Sequence, residues 1–344
     1  MSPAEREIAQ QRARLLRIES NGMSEIARSY QVVLNDLNDH LDALTTRIEI
    51  ARAQRIEVRP AWLAAEERYQ ALVAQHEEHT LNYLRSCITS ISSGKKLAIA
   101  QANGDAPWLA SQAMGPAPQS AQAIVANSFN RLPIAEMERM VRNAADGHPL
   151  GDLLYEIAPD STQAVKDALN SGVARGTSVE TIARDVRQAS GIAQNRAMLI
   201  SRTEVIGVYR ETTLERYRQS PVVNGWVWYA EPNACPVCSS EHGSEHTNDE
   251  SLDSHPGCRC SMMPQTVSWS ELGFNITDGR PSIQPGPERF AALPEGDKLA
   301  ILGKARLDAY NAGKITLPEM VRETHSARWG DGKRTATLAE LGVG

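Results

Sequence analysis

Between residues 27 and 51, apolar side chains return every three or four positions: Ala27, Tyr30, Leu34, Leu37, Leu41, Leu44, Ile48 and Ala51. That rhythm is the a/d pattern of a coiled-coil seam and predicts one long amphipathic helix. Just upstream, "ESNGMS" places Asn21 and Gly22 where a first helix can end and Ser24 where the next can be capped. Pro60 suits the first turn of another helix, whose stripe is Trp62, Ala65, Tyr69, Leu72, His76, His79 and Tyr83. Residues 1–92 therefore read as a helical coiled hairpin, with His76 and His79 serving as seam residues rather than ligands.

The pattern then changes. Over residues 93–132 Gly, Pro, Ser, Ala and Gln dominate, and Pro107, Pro116 and Pro118 interrupt any long helix, so a linker or extended arm is expected. From Pro133 to Ser220 short helical segments follow, and "TSVETIARDVRQASG" opens on a cap at Thr177 or Ser178. In the last of them, "AQNRAMLISRTEVIGVYRETTLERYRQS", Glu204 lies four residues from both Ile200 and Val208, which aims a carboxylate at the core. Arg202 is about 200° around the helix from Glu204 and must bond another segment. Glu211 returns to the Glu204 face after two turns. That spacing also suits an acid/base pair, but no third catalytic group lies nearby in sequence. After Pro221, "VVNGWVWYAEPNA" alternates large apolar residues and reads as a strand running up to Cys235.

Composition bounds what these elements form. A chain of 344 residues with 41% apolar content can bury the cores of two or three domains. The opening "MSPAEREIAQQRARLL" lacks a signal-peptide run, and no window approaches the ~20 apolar residues of a membrane span, so a reducing cytosol and no membrane are expected. There, clustered cysteines hold metal more often than they form disulfides, while the isolated Cys87 suits a buried helix position. A net charge of −6 argues against a protein that coats nucleic acid through its overall field. A local DNA contact through Arg196, Arg202, Arg210, Arg216 and Arg218 would need a basic stripe, and these residues are spread around their helix.

Candidate chemistry concentrates in "CPVCSSEHGSEHTNDESLDSHPGCRC", which holds four of the five cysteines. Cys235 and Cys238 can grip one tetrahedral ion from a tight turn, and His255, Cys258 and Cys260 can supply the remaining ligands. If "CRCSMMPQTV" is a strand throughout, Cys258 and Cys260 point to opposite faces and only one of them binds. A thiolate-rich set closes the shell of a structural zinc, whereas a catalytic zinc keeps an open position with a base beside it, such as Glu241 or His242. The other loop residues, His246, Glu245, Asp249, Glu250 and Asp253, read as a solvated face.

The order of the pieces "GTSVETIARDVRQ", "LISRTEVIGVYRETTLERYRQS", "GWVWYAEPNACPVCSSEHG" and "HPGCRC" resembles the head morphogenesis domain of tailed-phage minor head proteins, the Mu F-like group. Arg202, Thr203, Glu204 and Trp228 match its helix and strand motif, and Cys235, Cys238, His255, Pro256, Cys258, Arg259 and Cys260 match its cysteine motif. The resemblance covers roughly residues 130–265, with Asn233 and Ala234 standing where members often carry an acidic residue and Thr. Pieces of the C-terminal region, including "RWGDG", also look like those of longer members. The resemblance implies a virion protein of the head interior near the portal vertex, in several copies and made in the host cytoplasm. Its implied partners are the portal protein, other capsid or scaffold proteins and packaged DNA. The expected fold is mainly α with a small β/zinc-knuckle element: a hairpin over 1–92, an arm over 93–132, a head-morphogenesis-like domain over 133–270, and a small C-terminal helical segment over 271–344. That last segment is either a docking module or a cover on the main domain. The expected role is non-enzymatic, in head assembly and DNA packaging or delivery, with structural zinc; the alternative is a metal-dependent nuclease or hydrolase packaged with the genome.

Overall fold

A computed structural model describes residues 2–130, 132–144, 147–326 and 329–343. In chain order the elements are α1 (Pro3–Ala53), α2 (Pro60–Ala65), α3 (Glu67–Ala113), α4 (Gln119–Asn127), α5 (Ile134–Arg142), α6 (Leu150–Tyr155), α7 (Ile157–Ala174) and α8 (Val179–Arg218). There follow β1 (Val223–Tyr229), α9 (Pro236–Glu241), β2 (Glu245–His246), β3 (Ser261–Thr266), α10 (Gly286–Ala291), α11 (Glu295–Leu302), α12 (Lys304–Asn311), β4 (Val321–Ser326) and β5 (Gly330–Thr335). The fold is mainly α, as expected. Among the described residues no helix is long and apolar enough to cross a membrane.

The chain divides into two compact units that do not follow consecutive stretches of sequence. One comprises Met1–Ile18, Lys95–Val141 and Thr203–Gly344; the other comprises Glu19–Gly94 and Arg142–Arg202. The long helices α1, α3 and α8 each contribute to both, so the boundaries expected at residues 92, 132 and 270 differ from those of the compact units.

In the second unit, Leu37, Leu41, Leu44 and Ile48 of α1 share a core with Leu63, Leu72 and with Val165, Leu169 and Ile182 of α7 and α8. The buried line of α1 differs from the expected seam at two places: Ile26 and Val33 are buried, while Ala27 and Leu34 are half-exposed. The line thereby advances close to the ~3.6 residues per turn of a straight helix instead of the 3.5 of a supercoil. Asn21 and Gly22 do not break α1. Gly in a helix interior costs only about 1 kcal/mol, less than the burial on either side returns. The Ser24 hydroxyl donates back to the Ser20 carbonyl at 2.8 Å instead of capping a new helix. The helix begun by Pro60 stops at Glu66, whose carboxylate is held by the Arg47 guanidinium at 3.1 and 3.2 Å.

The first unit corrects the expected arm. Residues 93–113 continue α3 through Pro107, and Ala98, Ala102, Ala106 and Ala110 are buried along one side. Small side chains spaced three to four apart form a narrow packing face, so a composition resembling a linker here builds a close helix contact. The two segments expected around 177–191 and 193–220 form the single helix α8, with Gly191 inside it. A three-stranded antiparallel sheet in the order β2-β1-β3 packs its two tryptophans, Trp226 and Trp228, into a core with Phe129, Tyr217 and Trp269. The C-terminal segment is not purely helical: after α10–α12 the chain forms the antiparallel hairpin β4–β5. Of the "RWGDG" piece, Arg328 lies outside the described residues.

Candidate metal centre

Strand β1 ends beside the first two donors. Cys235 stands immediately before α9, with Pro236 in the first turn, and the Cys235 carbonyl accepts the Ser239 amide at 2.9 Å. This single turn of helix sets Cys235 and Cys238 on neighbouring positions three residues apart. The second half of the site is a turn in which the Cys258 amide returns to the His255 carbonyl at 3.1 Å, and Gly257 supplies the left-handed φ of +76° that the turn needs. Strand β3 begins only at Ser261, so Cys258 and Cys260 precede it. The alternation expected of a strand does not apply, and both thiols turn inward.

The donors form two overlapping triads. The sulfurs of Cys235 and Cys238 with a ring nitrogen of His255, and the sulfurs of Cys238, Cys258 and Cys260, each lie within 4.8 Å of one another. Along the cluster, Cys235 Sγ is 3.2 Å from His255 Nε2, His255 Nε2 is 3.5 Å from Cys238 Sγ, and Cys238 Sγ is 3.6 Å from Cys258 Sγ. His255 Nδ1 lies 3.0 Å from the Pro256 carbonyl, a contact that as a donor bond leaves Nε2 free to act as a ligand. Cys238, Cys258 and Cys260 are buried in the core that holds the sheet tryptophans.

These groups polarise one another. Hydrogen bonding from Cys238, and then from His255, brings the Cys235 thiol down to about 5, while the same Cys235 contact lifts His255 to about 9. Cys258 is held well below the ordinary thiol range by Cys238 and Cys260, with Arg210 adding to the effect. Arg210 donates to the carbonyls of Cys258 and Cys260 at 2.9 and 2.8 Å and reaches Cys258 Sγ at 3.3 Å. It is a half-buried positive charge that favours ionisation of Cys258, while Cys238 and Cys260 are pushed the other way, Cys238 by its hydrogen bonding with Cys235 and Cys258.

The helix motif serves the same turn. Thr203 Oγ1 accepts the Gly257 amide at 3.0 Å, and Glu204 is buried against Lys95 at 2.8 Å. Arg202, in the second unit, donates to Glu19 at 2.6 Å. Trp228 is buried in β1. Arg210 entered the sequence reading only as a DNA contact, without its place at the cluster, although it lies seven residues after Thr203, two turns along the same helix face. Lys95 escaped it because its segment resembled a linker.

The remaining candidates are engaged elsewhere. His242 Nδ1 accepts the Ala230 amide at 3.0 Å, and burial pushes its pKa down to about 4. Glu241 pairs with Lys333 at 2.8 Å, and His246 stacks on Trp226 at 4.2 Å. Glu211 is on the surface, paired with Arg139 at 2.7 Å, so it forms no acid pair with the buried Glu204. Of the arginines considered for DNA, Arg216 is buried, Arg210 is half-buried against the Cys258 and Cys260 carbonyls, and Arg196 pairs with Asp160. Arg218 donates to the Asn248 carbonyl at 2.7 Å.

Residues 163–263 match the family model of Phage Mu protein F like protein. This part of the chain is Mu F-like. The match takes in most of α7, all of α8 and the sheet as far as Met263, and it contains every donor of the cluster together with Thr203, Glu204 and Arg210. No curated protein and no solved structure matches the chain.

Proposed function

We propose that this protein is a minor component of a tailed-phage head, associated with the portal and acting in head assembly and DNA packaging or delivery. In this reading it carries a structural zinc and has no catalytic role. The observation that supports it is the coincidence of the Mu F-like match with a buried Cys/His cluster. Zinc-to-sulfur bonds of about 2.3 Å at tetrahedral angles separate two thiolates by about 3.8 Å, and the Cys238–Cys258 separation of 3.6 Å is of that size. Cys235, Cys238 and His255, with Cys258 or Cys260 closing the shell, would hold the ion. When bound, zinc ties the turn at α9 to the turn at Gly257 without a disulfide. The two bases that a hydrolytic centre would recruit, Glu241 and His242, are engaged with Lys333 and Ala230.

The test has two parts. Purified protein is expected to contain one zinc per chain and to melt at a lower temperature once a strong chelator has removed it. Purified phage heads are expected to contain the protein in several copies per particle. Metal-free protein of unchanged stability would overturn the zinc assignment, and its absence from heads would overturn the head assignment.

A further inference from the structure

The segment from Gly286 to Val343 has a core of its own. Phe290, Leu302, Leu307, Ile315, Leu317 and Met320 pack together, with Leu341 and Val343 against them. Its attachments fall on residues next to the metal donors. The Gly286 amide donates to the His242 carbonyl at 2.6 Å, just after α9. The Lys333 amide donates to the Ser254 carbonyl at 3.1 Å, one residue before His255. The Lys333 ammonium pairs with Glu241 and stands 5.7 Å above the Trp228 ring. The approach is close enough to exclude side chains: a Cβ on Gly286 would lie 2.1 Å from the Ser239 carbonyl oxygen, and one on Gly332 would lie 2.3 Å from the Ser254 carbonyl oxygen. The Ser254 hydroxyl in turn faces Cys238 Sγ at 3.5 Å.

The closest backbone attachments are therefore two short segments, 239–242 and 254, which come from opposite ends of the loop between the two halves of the donor cluster, with the rest of α9 and Trp228 beside them. We infer that the metal centre is the latch of the C-terminal cap: closing the cluster sets those carbonyls in register for α10 and β5, and opening it releases the cap as a folded piece. This rests on the zinc reading above. A cap with its own core keeps its internal structure when its platform is lost, which separates release from general unfolding.

Hydrogen exchange by mass spectrometry on the full chain, zinc-loaded and chelator-stripped with metal content measured in both, tests the latch. On zinc removal, peptides containing Gly286 and Lys333 should exchange roughly tenfold faster or more, while peptides from α11, α12 and the Lys95–Ala113 part of α3 keep their protection. If zinc leaves and the Gly286 and Lys333 peptides stay protected, the latch is wrong and the zinc site stands. Loss of protection in α3 and α12 together with those peptides would mean general unfolding and also overturns it. If the protein as purified holds no zinc, the metal reading fails first and the latch falls with it. Gly286→Ala and Gly332→Ala, which touch no donor, should free the same peptides while zinc stays bound; retention of protection in both would overturn the proposed seam.

Discussion

Cys238 belongs to both donor triads, whereas Cys235 belongs to one. On the proposed zinc reading, Cys238→Ser should abolish metal binding and Cys235→Ser should weaken it, with Cys238→Ser lowering stability by at least ~3 kcal/mol, a fraction of the ~10–16 kcal/mol with which structural zinc binds. Zinc content and denaturant unfolding of the two variants check the order; equal effects would contradict the shared role of Cys238. The buried pair of Lys95 and Glu204 makes a second prediction that is independent of metal. Removing one partner takes a 2.8 Å ion pair from the other's buried charge, so Lys95→Met alone should lose ~3–5 kcal/mol, while Lys95→Met with Glu204→Leu should recover most of it. A double-mutant cycle in urea measures this, and a double variant as weak as the single would show that the pair does more than neutralise itself.

At the scale of elements, two glycines distinguish the observed helices from shorter ones. Gly191 lies inside α8 with open space where a Cβ would go, so Gly191→Ala should stabilise by ~0.5–1 kcal/mol. Gly172 of α7 would place a Cβ 2.6 Å from Ile182 Cγ1, so Gly172→Ala should destabilise by ~1–3 kcal/mol through overpacking. Thermal melts of both variants give the signs, and a destabilising Gly191→Ala would mean that α8 ends there. The same positions show what the sequence made legible. Hydrophobic period revealed α1, α8 and β1, and the spacing of Cys235, Cys238, His255, Cys258 and Cys260 revealed the donor cluster, because those signals are local. Helix continuity through Gly22, Pro107 and Gly191 was hidden, since local propensities of ~1 kcal/mol or a few are outvoted by packing from residues far along the chain. The roles of Arg210 and Lys95 were hidden for the same reason: their partners, Cys258 and Glu204, are distant in sequence. The inward turn of Cys260 depended on β3 starting one residue after it.

For the whole molecule, acid is the expected weakness. Burial holds His76 at about 4 against the attraction of Asp36, and His242 is likewise held at about 4, both below the ordinary 6.5. At these two positions the unfolded chain therefore binds more protons than the folded one between those values, so the stability they contribute is present at pH 7 and lost as the pH falls from about 6.5 toward 4. For His76 the loss between pH 7 and 5 should be on the order of 1–2 kcal/mol, and His76→Gln should flatten the profile by that amount relative to the parent. An unchanged slope would mean that His76 is solvated. The sharing of α1 between the two compact units also bears on how the chain is made. Residues 1–18 leave the ribosome well before residues 203–344, yet Gln11 accepts from Tyr209 and Arg12 donates to the Tyr229 carbonyl, partners about 200 residues later. The unit formed by 19–94 and 142–202 can close during translation, while residues 1–18, although made before that unit, are seated only after their distant partners have emerged.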